Sequence, residues 1–201
     1  MRKLVIDKKR FFLKLLKNFL KINDLEKAIV ETIGQMKINP NELNRIKTEF
    51  FPDGFLSLIM EVNEIINERI RKEKRPSNFK NFKINEKIQF FVIRRLEIFN
   101  ELLDKFKFFK ESVKPFMILN SSKLLFKIAD EIWYLSGDRS TDYNYYTKRF
   151  ILMKIYALTF SFYIFDRSLN LENTKKFLKK QIDLVLGFGK FKKKIKDRIN
   201  S

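Results

Sequence analysis

Apolar residues recur every three or four positions along most of this chain, the spacing of amphipathic helices. Over residues 7–22, Phe11, Leu15, Phe19 and Ile22 share one phase, with Phe12 and Leu16 beside them. Lys8, Lys9, Lys14 and Lys17 lie largely off that stripe. Asn23 and Asp24 then offer an N-cap. Leu25, Ile29 and Ile33 predict a second helix ending near Gly34. Asn39 and Pro40 restart the chain, with Pro at the first helical position, and Leu43, Ile46 and Phe50 face inward on a short third helix. Phe51-Pro52-Asp53-Gly54 reads as a turn. A fourth helix runs from Gly54 to about Lys74, with Leu58, Val62, Ile65 or Ile66, and Ile70 inward.

Residues 74–83 are polar, contain Pro76 and lack a period, so they read as a loop between two lobes. A strong helix follows over residues 84–104, with Ile84, Ile88, Phe91, Leu96, Phe99 and Leu103 among its apolar positions. Phe106, Phe108 and Phe109 continue it or begin a short helix. Pro115 breaks the pattern, and Asn120-Ser121-Ser122 reads as the cap of the next helix, with the stripe Leu124, Leu125, Ile128, Ile132 and Leu135. Residues 150–165 are apolar nearly all round. Sixteen residues including Lys154 fall short of the roughly 20 that span a bilayer, so a buried central helix is expected. The last helix starts after Asn170, with Phe177, Ile182 and Leu186 inward, and Gly187-Phe188-Gly189 loosens it. Beyond it, Phe188, Phe191, Ile195 and Ile199 share a face, with Lys192, Lys193 and Lys194 around them. That tail reads equally as a solvated basic end or as a surface-seeking amphipathic helix. The expected architecture is therefore all-α, a bundle of about nine to ten helices.

Composition narrows the function. Lys+Arg number 43 against 24 Asp+Glu, a net charge of +19. Such a field attracts nucleic acid or an anionic membrane. An A/T-rich genome would also inflate Lys, Asn, Ile and Phe everywhere, and the two explanations stay open at this level. With no Cys and no His, the chain lacks a thiolate nucleophile, the commonest general base and the commonest metal ligands. There is no paired carboxylate set of the di-iron type. No enzyme, metal or cofactor is expected. The opening apolar run of three residues, Leu4-Val5-Ile6, is too short for a signal peptide, so the expected location is the bacterial cytoplasm.

Residues 133–149 gather the only Trp and four of the six Tyr. Gly137 can take the left-handed conformation that closes a helix. Ser140, Thr141 or Asp142 can cap the next one. Asp138 and Asp142 stand near Lys148 and Arg149 in sequence, so an ion-paired corner is expected from Gly137, Asp138, Asp142 and Arg149. The Trp and Tyr side chains suit either a core edge or an interface.

Two resemblances follow from these residues. The three short helices, the F-F-P-D-G turn and the long fourth helix resemble the helix-turn-helix end of TetR-type regulators. More specifically, Ala129-Asp130-Glu131-Ile132-Trp133 and Gly137-Asp138-Arg139-Ser140-Thr141-Asp142-Tyr143-Asn144-Tyr145-Tyr146-Thr147-Lys148-Arg149 resemble the signature of the coenzyme Q (ubiquinone) accessory lipid-binding proteins. Asp166-Arg167-Ser168 and Phe177-Leu178-Lys179-Lys180-Gln181-Ile182 extend the match, which covers about residues 120–190. The resemblance implies a TetR-like bundle with a degenerate helix-turn-helix part at residues 1–74, a lipid-binding domain at 84–190 and a basic amphipathic tail at 190–201. It implies a non-catalytic homodimer that holds an isoprenoid lipid, a ubiquinone precursor, and assists a di-iron hydroxylase at the inner face of the bacterial inner membrane. Ile132, Trp133, Tyr145 and Tyr146 would meet the hydroxylase. Phe90, Phe91, Phe116, Met117, Leu125, Ile128, Phe150, Met153, Phe160 and Phe162 are the candidates for lining the lipid cavity, and plain core packing is the alternative for each. Phe188, Phe191, Lys192, Lys193, Lys194, Ile195 and Ile199 would dock on an anionic bilayer. Specific DNA recognition is not expected, because Glu42 and Glu49 sit on so short a third helix, yet a TetR-type DNA-binding regulator with an apolar pocket is the competing class. A membrane-binding module without specific cargo is a third.

Overall fold

The computed structural model describes residues 6–112, 115–139 and 143–199, with side chains for 6–110, 121–139 and 144–185. Among the described residues there are nine α-helices and no strand: α1 (Lys8–Ile22), α2 (Leu25–Gln35), α3 (Leu43–Phe50), α4 (Phe55–Lys72), α5 (Ile84–Leu102), α6 (Lys105–Ser112), α7 (Pro115–Leu135), α8 (Tyr143–Phe165) and α9 (Glu172–Ile199). The all-α architecture matches the expectation from periodicity.

Local chemistry explains the ends of these helices. Asp7 and Asp24 cap α1 and α2 by accepting the N–H groups of Arg10 and Lys27 at 3.1 and 3.0 Å. Asn23 closes α1 in the left-handed region at φ 55°, a conformation Asn tolerates better than most residues. Asn39 accepts from Asn41 N–H and Pro40 opens a 3₁₀ turn that leads into α3. Asp104 caps α6 through the N–H groups of Phe106 and Lys107.

Two expectations are corrected. Asn120-Ser121-Ser122 does not start a helix, because α7 already begins at Pro115. Proline lacks an N–H, which costs nothing at the first helical position, so the residue that breaks a helix interior opens one here. The pair Gly187 and Gly189 does not interrupt α9, which runs on to Ile199. Each helical Gly costs about 1 kcal/mol relative to Ala, and that penalty is spread over a 28-residue helix.

The chain divides into two compact units. The first takes residues up to Arg69 together with 97–122, and the second takes 70–96 together with 123–201, so α4, α5 and α7 each contribute to both. The first unit has a phenylalanine core. Phe11 and Phe12 on α1 meet Phe50 and Phe51 edge-on or tilted at 5.0–6.4 Å. Phe108 joins Phe55 and Phe99. Such offset and edge contacts are worth about 0.5–1.5 kcal/mol each beyond area burial. One polar pair sits inside it, Asn18 Nδ2 donating to Thr32 Oγ1 at 2.9 Å.

The second unit is built on Val92 and Leu96 of α5, Ile128, Ala129 and Ile132 of α7, Leu152, Tyr163 and Ile164 of α8, and Leu178 and Ile182 of α9. Arg95 is nearly fully enclosed in it. Burial raises the Tyr156 phenol pKa, against the opposing pull of Arg95 hydrogen-bonded to it. Helix α8 is not sealed all round. Phe150, Leu158, Phe162 and Phe165 form an exposed stripe along it. None of the described helices is long and apolar enough to cross a membrane.

Candidate functional site: the corner between α7 and α8

Helix α7 ends in a Schellman motif. Gly137 sits at φ 96°, where an L side chain is strained. Its N–H donates to Tyr134 O at 3.0 Å, and Asp138 N–H reaches back to Trp133 O at 3.0 Å. These two bonds satisfy carbonyls that a helix end otherwise orphans. The reversal also aims the Asp138 carboxylate at the first turns of α8.

Arg149 lies one and a half turns into α8 and is 3 % exposed. Its Nη1 donates to Asp138 Oδ2 at 2.8 Å, and its Nε donates to Asp130 Oδ1 at 2.8 Å. One guanidinium thus ties α8 both to the body of α7 and to the residue just past its end. Lys148 Nζ adds a 2.7 Å bond to Asp138 Oδ1. Burial works against the charge on Arg149, but the hydrogen bonds it donates to Asp130 and Asp138 outweigh it, so its pKa is raised. A shared, hydrogen-bonded cation of this kind holds geometry and is severely upset when one partner is removed.

Aromatic groups are built onto this frame. The Arg149 guanidinium lies 3.6 Å from the Tyr145 ring centroid. The Tyr145 hydroxyl donates to Asp130 Oδ1 at 2.9 Å. Its phenol pKa is raised, first by burial and then by that bond. Trp133 Nε1 donates to Lys148 O at 3.0 Å, and Lys148 Nζ stands 5.5 Å above the indole. Tyr146 packs edge-on against Tyr145 at 5.0 Å and is 67 % exposed. Tyr134 is also exposed, with the Arg139 guanidinium 4.8 Å from its ring.

The four expected partner-binding residues therefore occupy different depths. Ile132 is fully buried and belongs to the core beneath the corner. Trp133 and Tyr145 are half-buried and hydrogen-bonded into the frame, while Tyr146 stands out from it. Of the expected corner residues, Gly137, Asp138 and Arg149 come together, and Asp142 lies outside the described residues, as do Ser140 and Thr141. Sequence reasoning missed two members. Asp130 holds both Arg149 and Tyr145, and its signal was its place one turn before Trp133 and Tyr134. Tyr134 was overlooked as an exposed ring.

The expected lipid-lining residues with described side chains are dispersed within the second unit. Phe91 and Ile128 are buried, Phe90, Leu125, Met153 and Phe160 are half-buried, and Phe150 and Phe162 are exposed. Phe162 stacks on Phe177 at 4.5 Å with rings nearly parallel. The side chains of Phe116 and Met117 lie outside the described residues, as do those of Phe188, Phe191, Lys192, Lys193, Lys194, Ile195 and Ile199, whose backbone is helical.

A second corner joins α8 to α9. Asp166 Oδ1 accepts Ser168 N–H at 2.8 Å. Its Oδ2 accepts the N–H and the hydroxyl of Thr174 at 2.9 and 2.6 Å. Ser168 Oγ accepts Asn173 N–H at 3.0 Å. Burial alone would raise the Asp166 pKa, but the bonds from Thr174 and Ser168 prevail and lower it to about 2.

The helices form an all-α bundle with a TetR-like fold. The chain superposes on the TetR transcriptional regulator of Nitrosomonas europaea with a TM-score of 0.63, covering 88 % of this chain and 96 % of that one at 14 % identity. Residues 118–189, which contain both corners, match the family model of COQ9. The chain is 35 % identical over 85 residues to the probable ubiquinone biosynthesis protein coq9, mitochondrial, of Dictyostelium discoideum, covering 42 % of this chain and 28 % of that protein. Human ubiquinone biosynthesis protein COQ9, mitochondrial, is 35 % identical over 82 residues, covering 41 % and 26 %. The matches thus span about a quarter of the length of these relatives. Residues 118–189 are thus similar to COQ9, and the relatives matched are named as ubiquinone biosynthesis proteins, while the fold is TetR-like.

Proposed function

We propose that this chain is a non-catalytic accessory protein of ubiquinone biosynthesis, which binds an isoprenoid quinone precursor and presents it, as a homodimer, to a di-iron demethoxyubiquinone hydroxylase at the membrane. The supporting observation is that the segment matching COQ9 is the one that carries the α7–α8 corner and its exposed aromatic edge. In this reading Arg149, Asp130 and Asp138 hold the edge rigid. Tyr146 and Tyr134 make contact, and Trp133 and Tyr145 are positioning residues behind them. Rigid aromatic groups lose little conformational entropy on binding, which is why they serve as anchors. The half-buried apolar groups of α5, α7 and α8 are the candidates for the isoprenoid chain, and the exposed α8 stripe is the candidate for pairing with a second copy. The amphipathic end of α9 would rest on the bilayer.

The charge distribution supports this reading over a DNA-binding regulator. The second unit carries 26 Lys+Arg against 10 Asp+Glu, whereas the first, helix-turn-helix-like unit carries 17 against 14. On α3 both cations are engaged, Arg45 by Glu42 and Glu49, and Lys47 by Glu26. A reading helix needs such groups free for phosphate and base edges.

Native mass spectrometry followed by solvent extraction tests the cargo, with an isoprenoid-type lipid expected to co-purify. Protein that carries nothing under lipid-retaining conditions would sink the proposal. For the partner, Tyr146→Lys is expected to leave unfolding unchanged and to abolish capture of the hydroxylase. Unchanged capture would move the docking face elsewhere.

A further inference from the structure

Residues 71–87 contain seven Lys+Arg and two Glu. Part of that charge is already balanced. Arg71 makes a bidentate pair with Glu131, at 2.7 and 2.5 Å. Glu73 is held by Arg94. Glu86 accepts the backbone N–H of Lys83 at 2.6 Å. Lys72, Lys74, Lys80 and Lys83 are left exposed, with no carboxylate at ion-pair distance among the described residues. The loop bearing them is not slack. Phe79, in a 3₁₀ turn, meets Phe82, Phe90 and Phe91 at 5.4, 5.4 and 5.6 Å. Arg75 and Lys87 add cation–π contacts to the same ring at 5.8 and 5.6 Å. Ile84, the first residue of α5 and next to Lys83 in the chain, is 45 % exposed.

We infer that this loop is a second membrane-contact surface, in which Lys72, Lys74, Lys80 and Lys83 engage the headgroups of anionic lipid while Ile84 meets the interface. It rests on the docking reading above only for the choice of partner. Four exposed cations on a pre-ordered loop complement a negative surface, and little loop ordering remains to be lost on contact. The same chemistry fits single-stranded nucleic acid less well. Base stacking needs an aromatic ring with an open face, and Phe79 is engaged by three rings and two cations.

The test is co-sedimentation of the full chain with phosphatidylcholine vesicles, with and without phosphatidylglycerol. Three proteins are compared: wild type, Lys72→Gln/Lys74→Gln/Lys80→Gln/Lys83→Gln, and the tail variant Lys192→Gln/Lys193→Gln/Lys194→Gln. The loop variant is expected to fold normally by circular dichroism. Its partition onto phosphatidylglycerol vesicles should fall about 600-fold, at about fivefold for each of the four lysines, with no change on pure phosphatidylcholine. Loop-variant binding equal to wild type overturns the inference. So does a loop variant that keeps vesicle binding but loses a single-stranded oligonucleotide. If the tail variant alone binds like wild type, tail docking fails and the loop surface stands. Absence of wild-type binding to anionic vesicles overturns both.

Discussion

At its N-terminal end α8 is tied to α7 by a buried guanidinium shared between two carboxylates, whereas at its C-terminal end it is tied to α9 by one carboxylate that collects backbone and hydroxyl donors. The difference matters because the two devices fail differently. A shared buried charge is expensive to isolate, so every member of the Arg149 set depends on the others. Asp166 instead acts as a cap on the first turn of α9. It satisfies orphan N–H groups and faces the positive end of the helix dipole. One corner carries exposed rings on a charged frame and the other closes the hairpin quietly. The first holds exposed rings in one geometry, and the second sets the start of a long helix.

The sharpest way to break this comparison is Asp138→Ala. It leaves the 3 %-exposed Arg149 with half its carboxylate partners. A loss of ~3 kcal/mol is expected in urea unfolding, and a change under 1 kcal/mol would mean that Asp130 alone suffices. Next comes Asp166→Ala, with an expected loss of ~2 kcal/mol at neutral pH. Here the sign with pH is fixed. The folded pKa is about 2 against an ordinary value of 3.8, so the contribution is complete well above pH 4 and disappears as pH falls through about 2. Wild type should therefore lose on the order of 2 kcal/mol relative to the variant over that window, by paired unfolding curves, and parallel curves would remove the cap from the account. Smallest is Gly137→Ala. The added Cβ meets open space, so only the positive φ is penalised, at about 1 kcal/mol. A larger loss would show that the Schellman close also governs the Asp138 pairing.

Much of the fold was legible because it rests on local rules. Asp24 as a cap, the inward stripe of α4 and the buried Ile128 and Ile132 all follow from spacing and side-chain chemistry. The left-handed closure at Gly137 does too. Pro115 misled because its effect depends on whether it falls inside a helix or at its first position. Gly187 and Gly189 misled because their cost is small beside the cooperativity of a long helix. The candidate site was legible in part. Asp138 and Arg149 are 11 positions apart across one turn, near enough to pair on paper. Asp130 lies 19 positions from Arg149, and only the packed hairpin shows that it completes the set. The enclosed Arg95 could not be read at all, since arginine is among the residues most often exposed.

The unbroken course of α9 fixes an angle as well as a length. At about 100° per residue, positions 188, 191, 195 and 199 fall within about 60° of the phase of Leu184, which is exposed, while Leu178 and Ile182, which are packed, are at least about 120° away. The docked half of the helix thus sets the azimuth of its own end. A single residue inserted between 182 and 188 would turn that end by about 100° and uncouple the two halves. An insertion of four would restore the azimuth to within about 40°. The helix behaves as a keyed shaft, in which the angle of its far end depends on the count of residues along it.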